Sequence, residues 1–320
     1  MRTLLLALML CLCLPCWAGE KGITGGLDGP DRNALLLEAN ADFVRFPVAW
    51  DQIEPTPNHF RWAVYDQMLD DLSANLPGVQ LVVTIRVRAA GADSLPSDLA
   101  RYRRFVQLLA QHGRGHIYAY QVGNEVDWWG FWTGSAAEYV KLLATASPAI
   151  RAGDPTAKVV MAGFSSDGLM VPALLSEHYS IPQIAEALGK STLPGARQTD
   201  AFIREVLRNG VRYVDVVDAH TYHACWTIAP RVNWLKRWGK EVWNTETGGP
   251  DSVVCEWSEA EQAHQVAARL SAAWQCGATL VAWLGLYEMT PETVRFEQMG
   301  LVTREGRRKP AFYAFRDAVR

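Results

Sequence analysis

The chain of 320 residues carries 31 Lys and Arg against 34 Asp and Glu, a formal net charge of −3, and 49% of it is hydrophobic. Slight acidity argues against a nucleic-acid partner. The apolar content supports a sizeable core, either two ordinary domains or one large α/β barrel, and no Pro/Gly/Ser linker, charge run or low-complexity tract divides it. It therefore reads as a single domain.

At the start, Arg2 precedes the apolar stretch Leu4–Leu14 and then Pro15-Cys16-Trp17-Ala18, where small Cys16 and Ala18 suit cleavage before Gly19. Residues 1–18 read as a signal peptide, leaving a domain over 19–320 in the periplasm or secreted. A membrane anchor needs roughly twenty apolar residues, more than this run holds, and bulky Pro15 disfavours a lipid on Cys16. No stable membrane insertion is expected after processing. Loss of Arg2 leaves 30 cationic against 34 anionic side chains.

Eight short β-rich runs follow, at Gly22–Gly26, Phe43–Val48, Gln80–Val87, Ile117–Gly123, Lys158–Gly163, Tyr213–His220, Glu241–Thr245 and Thr279–Leu286. The first is the weakest, with Ile23 its one large apolar residue. Between them lie helical stretches at Arg61–Ala74, Ser97–His112, Ala136–Ala152, Asp200–Asn209 and Ser258–Gln275, and a final one at Ala311–Val319. Ser258 with Glu261 three residues on is a capping-box pattern. Ser165–Gln198 reads as irregular sequence with a short helix. Eight strands alternating with helices in about three hundred residues predict a (β/α)₈ TIM barrel with one enlarged loop. An open doubly wound sheet is the alternative, but no Gly-rich fingerprint follows an early strand.

Alternation along a strand groups Phe43, Arg45 and Pro47; Ala119, Gln121, Gly123 and Glu125; Asp218, His220 and Tyr222; and Val242, Asn244 and Glu246. Helices cover the outside of such a barrel, so these polar faces are expected to point inward and up to the mouth. Glu125 and Glu246 would meet there, and paired carboxylates at a barrel mouth suit glycoside hydrolysis. Ion pairing at strand ends is the plainer reading of the same two residues. A zinc site from His220 and His223 is not expected, because on a strand the two face opposite sides.

The order Arg45-Phe46-Pro47-Val48-Ala49-Trp50 with Ile53-Glu54-Pro55, then Asn124-Glu125, His220-Thr221-Tyr222, Thr245-Glu246 and Trp283 resembles the landmarks of clan A glycoside hydrolases, most nearly the family 39 and family 5 groups. These are retaining enzymes on (β/α)₈ barrels, and the likeness runs from about Gly22 onward. It implies Glu125 as general acid/base, Asn124 as the partner of the sugar 2-hydroxyl and Glu246 as nucleophile. Arg45 and Tyr222 resemble the groups that hold the nucleophile ionised and oriented. His220 resembles a substrate-binding histidine, and Trp283 the aromatic floor under the sugar. Gly123 departs from the aromatic residue many members carry before Asn-Glu, and Val126 from the commoner Pro.

The resemblance implies a carbohydrate substrate with a β linkage, no cofactor, no metal and a monomer. A carbohydrate-binding barrel without catalysis is the rival reading. Trp128, Trp129 and Trp132 after the fourth strand, Trp226 after the sixth and Trp257 after the seventh are candidate sugar platforms. Trp62, Trp234, Trp238 and Trp274 on helices read as core. Of the three cysteines beyond residue 18, Cys225 and Cys255 follow neighbouring strands and are expected to pair as a disulfide, leaving Cys276 reduced.

Overall fold

The computed structural model describes residues 19–249, 257–289 and 298–318. Eight strands, β1 (Glu20–Thr24), β2 (Phe43–Ala49), β3 (Gln80–Arg86), β4 (Ile117–Val122), β5 (Lys158–Met161), β6 (Val216–Thr221), β7 (Glu241–Thr247) and β8 (Leu280–Leu284), are all parallel and pair in chain order. The seam closes where Glu20 to Thr24 pair with Leu280 to Leu284. This is a single-domain (β/α)₈ TIM barrel. Its strands are rich in Val, Leu and Ile because both faces are buried, one in the barrel and one under helices.

The helices are α1 (Arg32–Glu38), α2 (Trp50–Ile53), α3 (Trp62–Asn75), α4 (Leu99–His112), α5 (Ala136–Gly153), α6 (Ser166–Leu175), α7 (Ile181–Ala187), α8 (Ala196–Gly210), α9 (Ile228–Lys236), α10 (Glu259–Cys276) and α11 (Pro310–Asp317). Ser258 caps α10 by accepting from Glu261 N at 3.1 Å, one half of the expected box. The stretch 165–198 is more ordered than its sequence suggests: α6 and α7 pack around their own apolar cluster of Met170, Val171, Leu174, Ile184 and Leu188. The sixth strand begins three residues later than expected, because Val211–Tyr213 is a turn of 3₁₀ helix.

Phe43, Val82, Ala119, Val160, Val216, Trp243, Leu280 and Ala282, one or two from each of seven strands, fill the barrel's interior. The remaining strand, β1, has a reason for its thin sequence. A Cβ on Gly22 would sit 2.5 Å from the Phe43 ring, so β1 yields its inward position to that aromatic side chain. Lys21 is buried, and its Nζ donates to the carbonyls of Phe315 at 2.8 Å and Arg316 at 2.7 Å, capping the end of α11 beneath the barrel.

The expected faces hold for β2, β4 and β6 but not for β7. Trp243 points inward and Val242 outward, which by alternation alone would turn Glu246 away from the mouth. A bulge restores it. Asp218 pairs with Trp243 but His220 pairs with Glu246, so β7 spends three residues where β6 spends two. Thr245 and Glu246 consequently both address the interior side.

Candidate active site

Above the apolar filling, the barrel interior becomes a polar layer. Gln121 of β4 is fully buried and donates to Asp218 Oδ2 at 2.6 Å while accepting from Arg45 Nε at 2.7 Å and Thr84 Oγ1 at 3.1 Å. Asp218 also accepts from Thr245 N at 2.9 Å and Oγ1 at 2.5 Å. This layer fixes the guanidinium of Arg45 from below. Arg45 then reaches upward, with Nη2 on Asn124 Oδ1 at 2.6 Å and Nη1 on Glu246 Oε2 at 3.3 Å.

Glu125 lies just beyond β4. The chain leaves that strand through Gly123 at φ +82°, a conformation open to glycine, and Glu125 itself takes φ +39°. For a residue with a Cβ this costs on the order of 1–3 kcal/mol, strain of the kind retained where a side chain must be aimed. Its N–H donates to Gly163 O at 2.9 Å, which ties the turn to the end of β5.

Glu246 Oε1 accepts from the Tyr222 hydroxyl at 2.6 Å. His220 is completely buried, its Nδ1 2.8 Å from Glu125 Oε1 and 3.6 Å from Glu246 Oε2, with Nε2 facing Asp218 at 3.8 Å. Oxygens of Glu125 and Glu246 and a nitrogen of His220 lie within 4.8 Å of one another. Such a trio could in principle ligate a metal ion, but the Arg45 cation already borders Glu246 and makes the position unfavourable for a second cation.

The two carboxyl groups are driven apart in acidity. Burial pushes Glu125 up, and the charges of Glu246 and Asp127 add to it against the opposing pull of His220. Burial would raise Glu246 too, yet His220, Arg45 and the Tyr222 hydroxyl outweigh it and hold the group below the usual carboxylate range. Burial disfavours the charged form of His220, but Glu246, Glu125 and Asp218 overcome it and raise the imidazole to about 9. The surroundings thus favour the proton on one carboxyl group and the charge on its neighbour, the division that acid and nucleophile require.

These groups open onto a cavity of about 440 Å³ lined by Glu125, Glu246, Tyr222, Trp128, Phe131 and Asp167, among others. Arg86, paired with Asp93 at 2.7 Å, lies 4.9 Å over the Phe131 ring and props that wall. Trp128 is 43% exposed, edge-on to Phe131, and faces the cavity.

The structure brings Glu125, Glu246, Arg45, Asn124, His220, Tyr222 and Trp128 together. Trp283 it places elsewhere: the side chain is fully buried on the outward face of β8 with its indole N–H on Met299 O at 2.8 Å, so it cannot serve as a floor under a sugar. The inward positions of β8 are Leu280, Ala282 and Leu284, and Leu284 is the one that reaches the cavity. Trp226 is half exposed and stacks on Tyr179 at 6.1 Å outside the cavity lining. Trp132 is buried against Tyr139, and Trp257 lies beneath Lys309, so neither is a platform. His223 sits on Asp167 at 2.6 Å, away from His220.

Among the described residues Cys276 and Cys225 form no disulfide, and Cys225 Sγ lies 3.3 Å from Gln265 Oε1. Cys255, the expected partner of Cys225, lies outside the described residues, as does the stretch 1–18. Among the described residues no helix is long and apolar enough to cross a membrane. Site residues that sequence reasoning did not single out include Asp127, Phe131, Ser165, Ser166 and Asp167. All five lie in loops or at a helix start, where no strand periodicity points inward, and only the Ser-Ser-Asp run before an apolar stretch hints at that start.

By sequence, no protein-family model and no curated protein matches the chain. By structure it is similar to a family 39 glycoside hydrolase from Bacteroides cellulosilyticus WH2, at 15% identity and TM-score 0.69, covering 95% of this chain and 64% of that one. It is similar also to a GH5_18 protein from Streptomyces cattleya solved with GlcNAc, at 16% identity and TM-score 0.69, covering 94% and 79% of the two chains. An exo-beta-1,4-mannosidase from Opitutaceae bacterium strain TAV5 aligns at 18% identity and TM-score 0.64, over 93% and 58%. The chain thus spans less than two thirds of the first and third of these proteins. It shares the (β/α)₈ fold of clan A glycoside hydrolases.

Proposed function

We propose that the protein is a retaining glycoside hydrolase, exported to the periplasm or beyond, that acts as a monomer on a β-linked glycan or glycoside without a cofactor. The observation that carries this reading is the Glu125–Glu246 pair, with carboxylate oxygens within 4.8 Å and opposite environments. Retaining enzymes hold their carboxyl groups about 5–5.5 Å apart, whereas inverting ones leave about 6.5–9.5 Å for a water.

In this mechanism Glu246 attacks the anomeric carbon as Glu125 gives its proton to the departing oxygen, leaving a glycosyl ester on Glu246. The ester removes the negative charge that kept Glu125 protonated, so its acidity rises and it can take a proton from water. That water attacks the anomeric carbon, Glu246 leaves as carboxylate and Glu125 is again an acid. Asn124, held by Arg45, is positioned for the sugar 2-hydroxyl, and Trp128 for the apolar face of a ring.

The test is a screen on polysaccharides and chromogenic glycosides, with proton NMR of the first-formed anomer. Retained configuration is expected. Inversion would overturn both carboxylate assignments, and binding without turnover across the panel would favour a carbohydrate-binding barrel instead.

A further inference from the structure

The segment between β5 and β6 begins with three residues that each grip a different part of the site. Ser165 donates through N and Oγ to Asp127, at 2.8 and 2.6 Å, in the loop that carries Glu125. Ser166 Oγ accepts from Tyr222 N at 2.9 Å and from Arg231 Nη1 at 2.6 Å. Asp167 holds His223.

Arg231 is fully buried on α9, and its hydrogen bonds go to neutral oxygens: Thr227 O at 2.9 Å, Thr227 Oγ1 at 2.6 Å, Tyr222 O at 2.9 Å, His220 O at 3.3 Å and Ser166. Burying a guanidinium is costly, and the oxygens that compensate it come from Thr227, from Ser166 and from the turn bearing His220 and Tyr222, which Arg231 thereby joins. Tyr222 follows the last residue of β6. Its N–H is held by Ser166 and its carbonyl by Arg231, while Arg231 also holds Ser166.

We propose that Ser166 is a positioning residue that keeps the Tyr222 hydroxyl on Glu246, which makes the β5–β6 insertion a working part of the site. The side chain of tyrosine is rigid from Cβ to hydroxyl, so a shift of the Tyr222 backbone reaches the 2.6 Å bond to Glu246 undiminished. Replacing Ser166 by Ala removes this acceptor from the buried Tyr222 N–H and from Arg231 Nη1, which keeps Ser166 O at 3.4 Å and His220 O at 3.3 Å, so the turn loses the side-chain clamp that fixes Tyr222. The other charged groups facing Glu246 are Arg45 from β2, His220 from β6 and Glu125 from beyond β4, with Asp218 behind His220. None of these bonds Ser166, so its removal is read through Tyr222.

The inference rests on Glu246 being the nucleophile, and its test does not need turnover. Carboxyl-labelled glutamate is introduced, the Glu246 signal is assigned with Glu246→Gln, and its titration is followed by carbon-13 NMR. Ser166→Ala should move Glu246 to higher pH, in the direction of Tyr222→Phe, and should add nothing in the Tyr222→Phe background. Ser166→Thr, which returns a hydroxyl, should restore the original titration. Arg231→Lys provides a second route to the same shift should Ser166→Ala fail to fold. An unmoved Glu246 in a folded variant, or an effect of undiminished size without the Tyr222 hydroxyl, would overturn the proposal. Expected shifts in a protein that hydrolyses no glycan would instead sink the enzymatic reading and leave the positioning role standing.

Discussion

At the scale of single residues, the opposed environments of Glu125 and Glu246 make the pH dependence specific. Activity needs Glu246 ionised and Glu125 protonated, so kcat/KM should rise through the depressed Glu246 titration and fall through the raised one of Glu125. Glu246→Gln, which deletes a charge that favours the proton on Glu125, should move the Glu125 titration to lower pH when that carboxyl group is followed by carbon-13 NMR. Glu246→Gly should lose nearly all turnover and regain part of it with azide or formate, giving product of inverted configuration; an inert response to every small anion would count against the nucleophile. Stability follows the same charges. His220, raised to about 9 by carboxylates, binds its proton more tightly folded than unfolded. Its contribution is therefore full below about pH 6.5 and is lost as pH rises through 9. Melting temperatures of the protein and of His220→Gln should converge across that window, and parallel curves would show that His220 is not charged in the fold.

At the scale of elements, the β7 bulge shows what the sequence discloses and what it conceals. The eight strands were legible because each is a short apolar run bounded by turn residues, and all eight lie within a few residues of their expected places. Alternation cannot reveal an extra residue, so it points Val242 inward where the fold turns Trp243 inward, and Glu246 reaches its place through a distortion invisible to a period of two. Trp283 was misplaced for a related reason. The family resemblance puts it under the sugar, but its neighbours Ala282 and Leu284 take the inward positions. Where the sequence suggests one short helix in 165–198, the fold has both α6 and α7; α6 is hard to delimit from sequence because it is buried nearly all round, from Ser166 to Leu174, and shows no apolar stripe. Two substitutions test these placements. Trp283→Ala should cost about 3–5 kcal/mol of stability as a large core deletion, whereas Trp128→Ala should lower kcat/KM about tenfold, or about 1.4 kcal/mol, with little change in melting temperature. Reversed outcomes would return Trp283 to the cleft.

Taken whole, the molecule closes late. Its first strand finds its second neighbour only in β8, and Lys21 finds carbonyl partners at residues 315, 316 and 318, at the end of α11. While the polypeptide is being made, β1 can meet β2 early, yet the ring has no seam to shut until the segment 280–316 has left the ribosome. Nascent chains arrested before residue 280 should accordingly remain open to protease, and those held on the ribosome by an added C-terminal linker that brings residue 320 clear of the exit tunnel should resist it. For a protein proposed to cross a membrane, such dependence on late-arriving sequence is an advantage, since a thread that cannot complete its barrel in the cytoplasm stays loose enough to pass through a translocation channel.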